Sequence, residues 1–350
     1  MDKLVKDTLN LHPRIMKALQ KCGMHKLSSI LIYSNSDLSR MLGISSQDVN
    51  LLVLAASNAA LPATPLVNTA LALYRRQAGL HNWGRLSWGC PVLDSHLSGG
   101  VLVPGVTELS GVSGAGKTQL CMQLCLVAQL TREQGGLNGG AVYISTEDVF
   151  PSKRLCQLAE FFTSQTNHSS SKHFTDNVFI EHAGSVSALS VLLEYKLPSL
   201  MDQHNIKLVV IDSIAALFRA DYVPSQQSSR AKLLRTIGAK LVNLSWKYSA
   251  AVVCVNQVSS IIHHEDADPP FLSTVRPSLG LSWADIANMR IMLYRDESVD
   301  DCTDLQTRSS PRCLLVLSAP HLQNVKINYN ISIEGVYGIE DHTPASSGTH

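Results

Sequence analysis

The segment best suited to chemistry is Gly111-Val112-Ser113-Gly114-Ala115-Gly116-Lys117-Thr118, followed by Gln119. Closely spaced glycines let backbone N–H groups close around phosphate oxygens, and side chains there would block that approach. Gly111, Ser113, Gly114, Ala115 and Gly116 supply that backbone. Lys117 brings a positive charge to the β- and γ-phosphates, and the Thr118 hydroxyl is a magnesium ligand. The expected ligand is therefore a nucleoside triphosphate with Mg2+. Three further residues join this loop. Asp212 follows the apolar run Leu208-Val209-Val210-Ile211 and can complete a magnesium shell. Glu147, just past Tyr143-Ile144-Ser145-Thr146, can take a proton from an attacking water. Gln257, after Ala251-Val252-Val253-Cys254-Val255-Asn256, can sense the γ-phosphate through its amide.

These residues need particular elements to hold them. The phosphate loop must follow a strand and open a helix, so that the helix N-terminus also faces the anion. The apolar run 106–109 precedes it, and the helical stretch 118–130 follows it. Further β-branched runs at 141–144, 178–180, 208–211 and 251–255 alternate with helical stretches at 187–195 and 230–248. That alternation predicts right-handed βαβ units and a mostly parallel sheet. Runs at 290–294, 313–318 and 329–333 have only short or polar connections, and antiparallel strands are expected there. The 341–350 tail is polar.

Ahead of this core, residues 9–60 read as four short helices. Pro13 opens the first, which carries Ile15 and Leu19 and stops at Gly23. Leu27, Ile30 and Leu31 mark the second. Ser36 is expected to cap the third, with Leu38, Met41 and Leu42 before Gly43. Ser45 or Ser46 caps the fourth, through Val49 and Leu52. A lobe of this size serves protein docking or direct DNA contact. Pro62 and Pro65 then break the helical pattern. The expected organisation is a helical lobe at 1–61, a linker at 62–80, a core at 81–340 and a tail at 341–350.

Composition sets outer bounds. A 45% hydrophobic, 16% charged chain can build a real core, and a net charge of +1 excludes a protein that coats nucleic acid through bulk positive charge. A local DNA-binding patch stays open. No run is long and apolar enough to suggest a membrane span. The start, Met1-Asp2-Lys3-Leu4, lacks the basic-then-apolar build of a secretory leader, so a soluble intracellular protein is expected. The eight cysteines contain no Cys-x-x-Cys pair. Cys121 and Cys125, one helical turn apart, suit buried apolar surface better than a metal site.

Taken together, these motifs resemble the RecA-like recombinases, and within them the eukaryotic strand-exchange family and its paralogues. The similar stretches are 110–123, 142–155, 208–222, 252–258, 279–283 and 317–336, and the helical lobe matches that family's N-terminal domain. The resemblance implies an α/β fold: a RecA-like P-loop ATPase core of mostly parallel twisted sheet, with C-terminal antiparallel strands and a small all-α lobe. It implies ATP as the nucleotide, Glu147 and Gln257 in catalytic roles, and Arg154 packing on the adenine. It also implies DNA loops at about 222–230 and 259–280, where Arg219 and Arg230 offer charge.

Departures from the family pattern shape the expected function. The first loop lacks a Gly-rich, arginine-bearing centre, and the second carries Glu265, Asp266 and Asp268, which repel phosphate. Ser318 stands where the strand-exchange family has an aspartate that caps a neighbouring subunit's nucleotide. Val67-Asn68-Thr69-Ala70 stands at the family's Phe-x-x-Ala docking motif. Burying Val instead of Phe forgoes on the order of 1 to 2 kcal/mol. The expectation is a homologous-recombination protein that forms a heterodimer with another paralogue subunit through Val67 and Ala70. Its other partners would be the strand-exchange recombinase and single-stranded and branched DNA, with no membrane. It would promote recombinase filament assembly and late junction processing, with weak DNA-dependent ATPase activity at most. The nucleus is the expected compartment, with the cytoplasm and mitochondrion as others. The alternative is an autonomous DNA-stimulated ATPase with motor or strand-exchange output. A small-molecule kinase would leave Glu147 and the helical lobe unexplained.

Overall fold

In the computed structural model the described residues are Val5, Leu9 and residues 11–60, 84–147, 149–165, 174–220, 227–260, 275–295 and 312–340. The chain divides into two compact units, Met1–Asn82 and Trp83–His350.

The first unit contains α1 (Pro13–Lys21), α2 (Leu27–Leu31), α3 (Asn35–Leu42) and α4 (Ser46–Ala60). Ile15, Leu19, Ile30, Leu38, Val49 and Leu52 are all at most 1% exposed and form its core. Caps set the helix starts: His12 Nδ1 accepts from Arg14 N, and Ser45 Oγ accepts from Asp48 N. The cap of α3 is Ser34, not Ser36. Ser34 Oγ accepts from Asp37 N at 3.2 Å, and since α3 begins at Asn35, Ser36 already lies inside the first turn. Gly43 ends α3 in the left-handed conformation, with φ +62°.

The second unit opens with β1 (Gly84–Leu86), α5 (Pro91–His96) and β2 (Val101–Val103). The phosphate-loop strand β3 (Gly105–Gly111) and its helix α6 (Lys117–Val127) come next. They are followed by β4 (Gly140–Ser145), α7 (Ser152–Gln165), β5 (Val178–His182) and α8 (Val186–Val191). One π-helical turn, Leu192–Lys196, joins α8 to α9 (Leu197–Gln203), so the stretch expected as one helix at 187–195 is α8 followed by the π-helical turn. Then follow β6 (Ile206–Asp212), α10 (Ile214–Ala220), α11 (Gln227–Tyr248), β7 (Ala251–Ser260), β8 (Val275–Pro277) and α12 (Leu281–Ala284). The chain closes with β9 (Met289–Arg295), β10 (Arg312–Ser318), β11 (Lys326–Ile331) and β12 (Val336–Gly338). No described helix is long and apolar enough to cross a membrane.

The large sheet runs β12-β11-β10-β9-β3-β7-β6-β4-β5, with β8 hydrogen-bonded to β7. Every residue of β3 and β4 is buried, because helices cover both faces of the parallel sheet there. Alternate side chains enter different cores. Leu109, Tyr143, Val210 and Val253 pack with α6, and Val106, Ile144, Ile211 and Cys254 pack with α8 and α11. Residues 290–294 depart from expectation. β9 is parallel to β3, from Thr107↔Met289 to Gly111↔Leu293, and antiparallel only to β10. Asn288 causes this: its N–H donates to the Val106 carbonyl and its Oδ1 accepts from Val106 N, which pins the start of β9 beside the start of β3.

Candidate nucleotide site

The parallel register brings the candidate residues together. Gly111 lies opposite Gln257, and Ser145 lies opposite Asp212, so the carboxyl ends of β3, β7, β6 and β4 form one row. Ligands of open α/β sheets bind along such a row. A cavity of about 680 Å³ occupies it. Gly111, Val112, Ser113, Gly114, Gly116, Lys117, Thr118 and Gln119 line one side. Glu147, Asp212, Ser213, Arg219, Val255, Gln257, Val258 and Ile331 complete it.

The loop conformation depends on glycine at two points, and at Gly111 an added Cβ would meet the Leu293 carbonyl oxygen at 2.2 Å. Gly116, at φ +105°, is the N-cap of α6, and a Cβ there would meet Ile331 Cδ1 at 2.4 Å. Ala115 is fully buried. It contributes through its carbonyl, which accepts from the Tyr329 hydroxyl, and not through its side chain. Lys117 Nζ donates to the Gly111 and Val112 carbonyls at 2.9 and 2.8 Å. Burial pushes the Lys117 pKa down, while Asp212, Cys121 and Glu147 pull it back up.

Thr118 and Asp212 are in contact: Thr118 Oγ1 donates to Asp212 Oδ2 at 2.6 Å. The same oxygen accepts from Tyr143 OH at 2.5 Å. Burial and Asp212 push the Tyr143 phenol well above its ordinary range, so it stays a donor. A hydroxyl and a carboxylate side by side are the hard oxygen donors that Mg2+ selects. A pair of short bonds holds the two carboxylate-bearing strand ends together. Ser213 N donates to Thr146 Oγ1 at 2.8 Å, and Thr146 N donates to the Asp212 carbonyl at 3.0 Å. The Asp212–Ser213 peptide is cis.

Glu147 is 43% exposed by its side chain and faces three donors. Gln257 Nε2 reaches its two oxygens at 3.1 and 3.2 Å, Ser213 Oγ lies at 3.4 Å, and Arg219 Nη2 forms an ion pair at 3.6 Å. Gln257 Oε1 is buried without a hydrogen-bond partner among the described residues, which leaves an acceptor for a bound group. The loop backbone and the Thr118–Asp212 oxygens fit a magnesium–triphosphate ligand.

Other candidates lie elsewhere. Arg154 does not line the cavity. Its guanidinium donates to Gln119 and Gln157 side chains and to the Ser332 and Ile333 carbonyls, which ties α7 to the turn after β11. Arg219, read as a DNA contact, lines the nucleotide cavity. Arg230 borders a second cavity and donates to the Phe218 and Ser278 carbonyls at 3.4 Å. Ser318 is an exposed residue at the end of β10. Val67 and Ala70 lie outside the described residues, as do 221–226 and 261–274 of the two expected DNA loops. Tyr143, Ser213 and Ile331 were not anticipated as site residues. Tyr143 carried one signal: its polar hydroxyl falls within an otherwise apolar strand. Cys121, Cys125 and Cys254 are fully buried free thiols whose pKa burial raises.

A family model described as Rad51 matches residues 81–339. The chain is 41% identical over 343 residues to the mouse (Mus musculus) protein named DNA repair protein XRCC3, covering 95% of this chain and 97% of that one. It is 31% identical over 287 residues to DNA repair protein rhp57 of Schizosaccharomyces pombe, covering 72% and 78% respectively. To DNA repair and recombination protein RadA of Metallosphaera sedula it is 28% identical over 340 residues, 97% of each chain.

Proposed function

Because the chain belongs to the Rad51 family, we propose that it is a recombinase paralogue acting in DNA repair by homologous recombination, with ATP and Mg2+ bound at the Gly111–Asp212 cavity. The observation that carries this reading is the convergence of Lys117, the Thr118–Asp212 pair and the Glu147–Gln257 pair on one cavity. Thr118 and Asp212 would hold the magnesium ion, and the loop backbone and Lys117 the phosphates. Bound magnesium would neutralise phosphate charge and orient the triphosphate.

The chain works as an adaptor more than as a motor. The likeness to XRCC3 and rhp57 proteins supports a place in paralogue complexes, and the partner is a second paralogue subunit in a heterodimer. That complex acts on single-stranded and branched DNA, assists the strand-exchange recombinase and operates in the nucleus. A ligand that binds only the assembled form stabilises it by mass action, so ATP need not turn over quickly to matter. Glu147 already holds three donors, so it is poorly placed to receive a proton from water.

Two variants test this. Lys117→Ala should weaken partner binding at least tenfold, measured with purified subunits, while Glu147→Gln should leave it within about twofold. If both variants abolish repair in cells while assembly is intact, the adaptor reading is wrong and DNA-stimulated turnover is the output.

A further inference from the structure

The nucleotide cavity has two ends. The sheet order sets β7 on one side of β3, and β9, β10 and β11 on the other, so Gln257 and Ile331 flank the phosphate loop from opposite sides. Gln257 bonds to Glu147, which makes that the end for the terminal phosphate. The Ile331 end is left for the nucleoside.

Arg154 ties together two walls of this end from behind. Its Nε donates to Gln119 Oε1 at 2.8 Å, and its Nη2 to the Ser332 carbonyl at 2.7 Å. Its Nη1 donates to the Ile333 carbonyl at 2.8 Å and to Gln157 Oε1. All four acceptors are neutral, and together they fix both Gln119 and the turn that follows Ile331. Guanidinium only donates, so the Gln119 atom facing it is the oxygen, and the amide is held in one orientation. Its Nε2 carries two N–H donors and has no partner among the described residues, and Gln119 lines the cavity. Ile331 supplies an apolar wall beside Gly116. An apolar wall with one directed donor suits a flat heterocycle that carries ring-nitrogen or carbonyl acceptors.

We propose that the Gln119 amide reads the nucleoside of the bound triphosphate, and that Arg154 is a positioning residue that aims it without packing on the base itself. The inference rests on the nucleotide-site reading and is independent of the adaptor reading, since a motor needs its nucleoside held just as firmly.

The test is calorimetric titration of the full-length chain, with magnesium present, using ATP and inorganic tripolyphosphate. Tripolyphosphate reports the phosphate loop alone. Wild type should bind ATP more tightly than tripolyphosphate. Gln119→Ala should weaken ATP about tenfold and leave tripolyphosphate within about twofold. Arg154→Ala should show the same split, which a merely structural role would not produce. The double variant should bind ATP no more weakly than Arg154→Ala, because the amide has already lost its aim. The inference is overturned if Gln119→Ala binds ATP like wild type, the result that direct packing of Arg154 on the base predicts. It is equally overturned if the two losses multiply in the double variant, if Arg154→Ala loses tripolyphosphate in step with ATP, or if wild type binds both ligands alike. Failure of wild type to bind either ligand overturns the nucleotide site itself, and this inference with it.

Discussion

Asp212 Oδ2 accepts two short hydrogen bonds, from Thr118 and Tyr143. Thr118 belongs to the phosphate loop. Tyr143 comes from the strand β4, and its phenol does two things: it satisfies a polar group inside the sheet and it holds the carboxylate beside Thr118. Replacing it by phenylalanine removes one neutral donor and leaves Asp212 to be met by solvent or ligand. Tyr143→Phe should therefore cost about 1–2 kcal/mol of unfolding free energy, read from urea denaturation. Magnesium-dependent nucleotide affinity should fall in the same variant, because the carboxylate is less firmly placed. Lys117 shows the opposite economy. Its ammonium is buried against its own loop carbonyls, so its charge is already desolvated where a phosphate would sit.

Strand β3 carries the loop, and one buried carboxylate ties it to both neighbours. Glu108 is fully buried. It accepts from Asn256 Nδ2 on β7 at 2.6 Å and from Arg290 Nε on β9. Asn256 Oδ1 in turn accepts from Ser278 Oγ at 2.9 Å, and the Gln257 carbonyl accepts from Ser278 N. Removing the carboxylate alone leaves Arg290 and Asn256 without their partner. Glu108→Ala should lose about 3–5 kcal/mol in chemical denaturation. Glu108→Gln, which keeps the shape and one acceptor, should lose less. The ladder explains why a charged residue stands inside an otherwise apolar strand: it aligns β7, and with it Gln257, against the phosphate loop.

The chain is two compact units, and every residue lining the nucleotide cavity belongs to the second. A fragment spanning residues 84–340 should therefore bind nucleotide within about twofold of the full chain by equilibrium titration. ATP with magnesium at a hundredfold excess over Kd should add about 2.7 kcal/mol to its stability. The linker is proposed to serve assembly and not this site. Its Val67 and Ala70 are proposed anchors on the partner subunit, and placing two carboxylates there would bury charge in an apolar contact. Val67→Glu with Ala70→Glu should dissociate the purified heterocomplex in gel filtration while leaving nucleotide affinity intact. An unchanged elution position would remove the linker from the interface.

Local pattern was enough to locate the phosphate loop, the strand runs around it and the four short helices, because each depends on neighbours along the chain. Spaced glycines, a terminal lysine and β-branched runs carry their physics locally. Glu147, Asp212 and Gln257 were legible as candidates since each follows an apolar run at a strand's carboxyl end. Their convergence was not local, because it depends on which strands lie side by side. The β9 direction shows the limit: nothing within residues 289–295 states that Asn288 will clasp Val106 and align the strand with β3. The roles of Tyr143, Thr146 and Ser213 likewise exist only once β4 and β6 are neighbours. So too with Arg219. By sequence it is one basic residue before an expected DNA loop, and only the packed structure sets it between two cavities with Glu147 as its partner among the described residues. Spacing along the chain was enough to point to a triphosphate site. Long-range pairing decided what surrounds it, because hydrogen bonds and ion pairs between strands depend on distance in space and not along the chain.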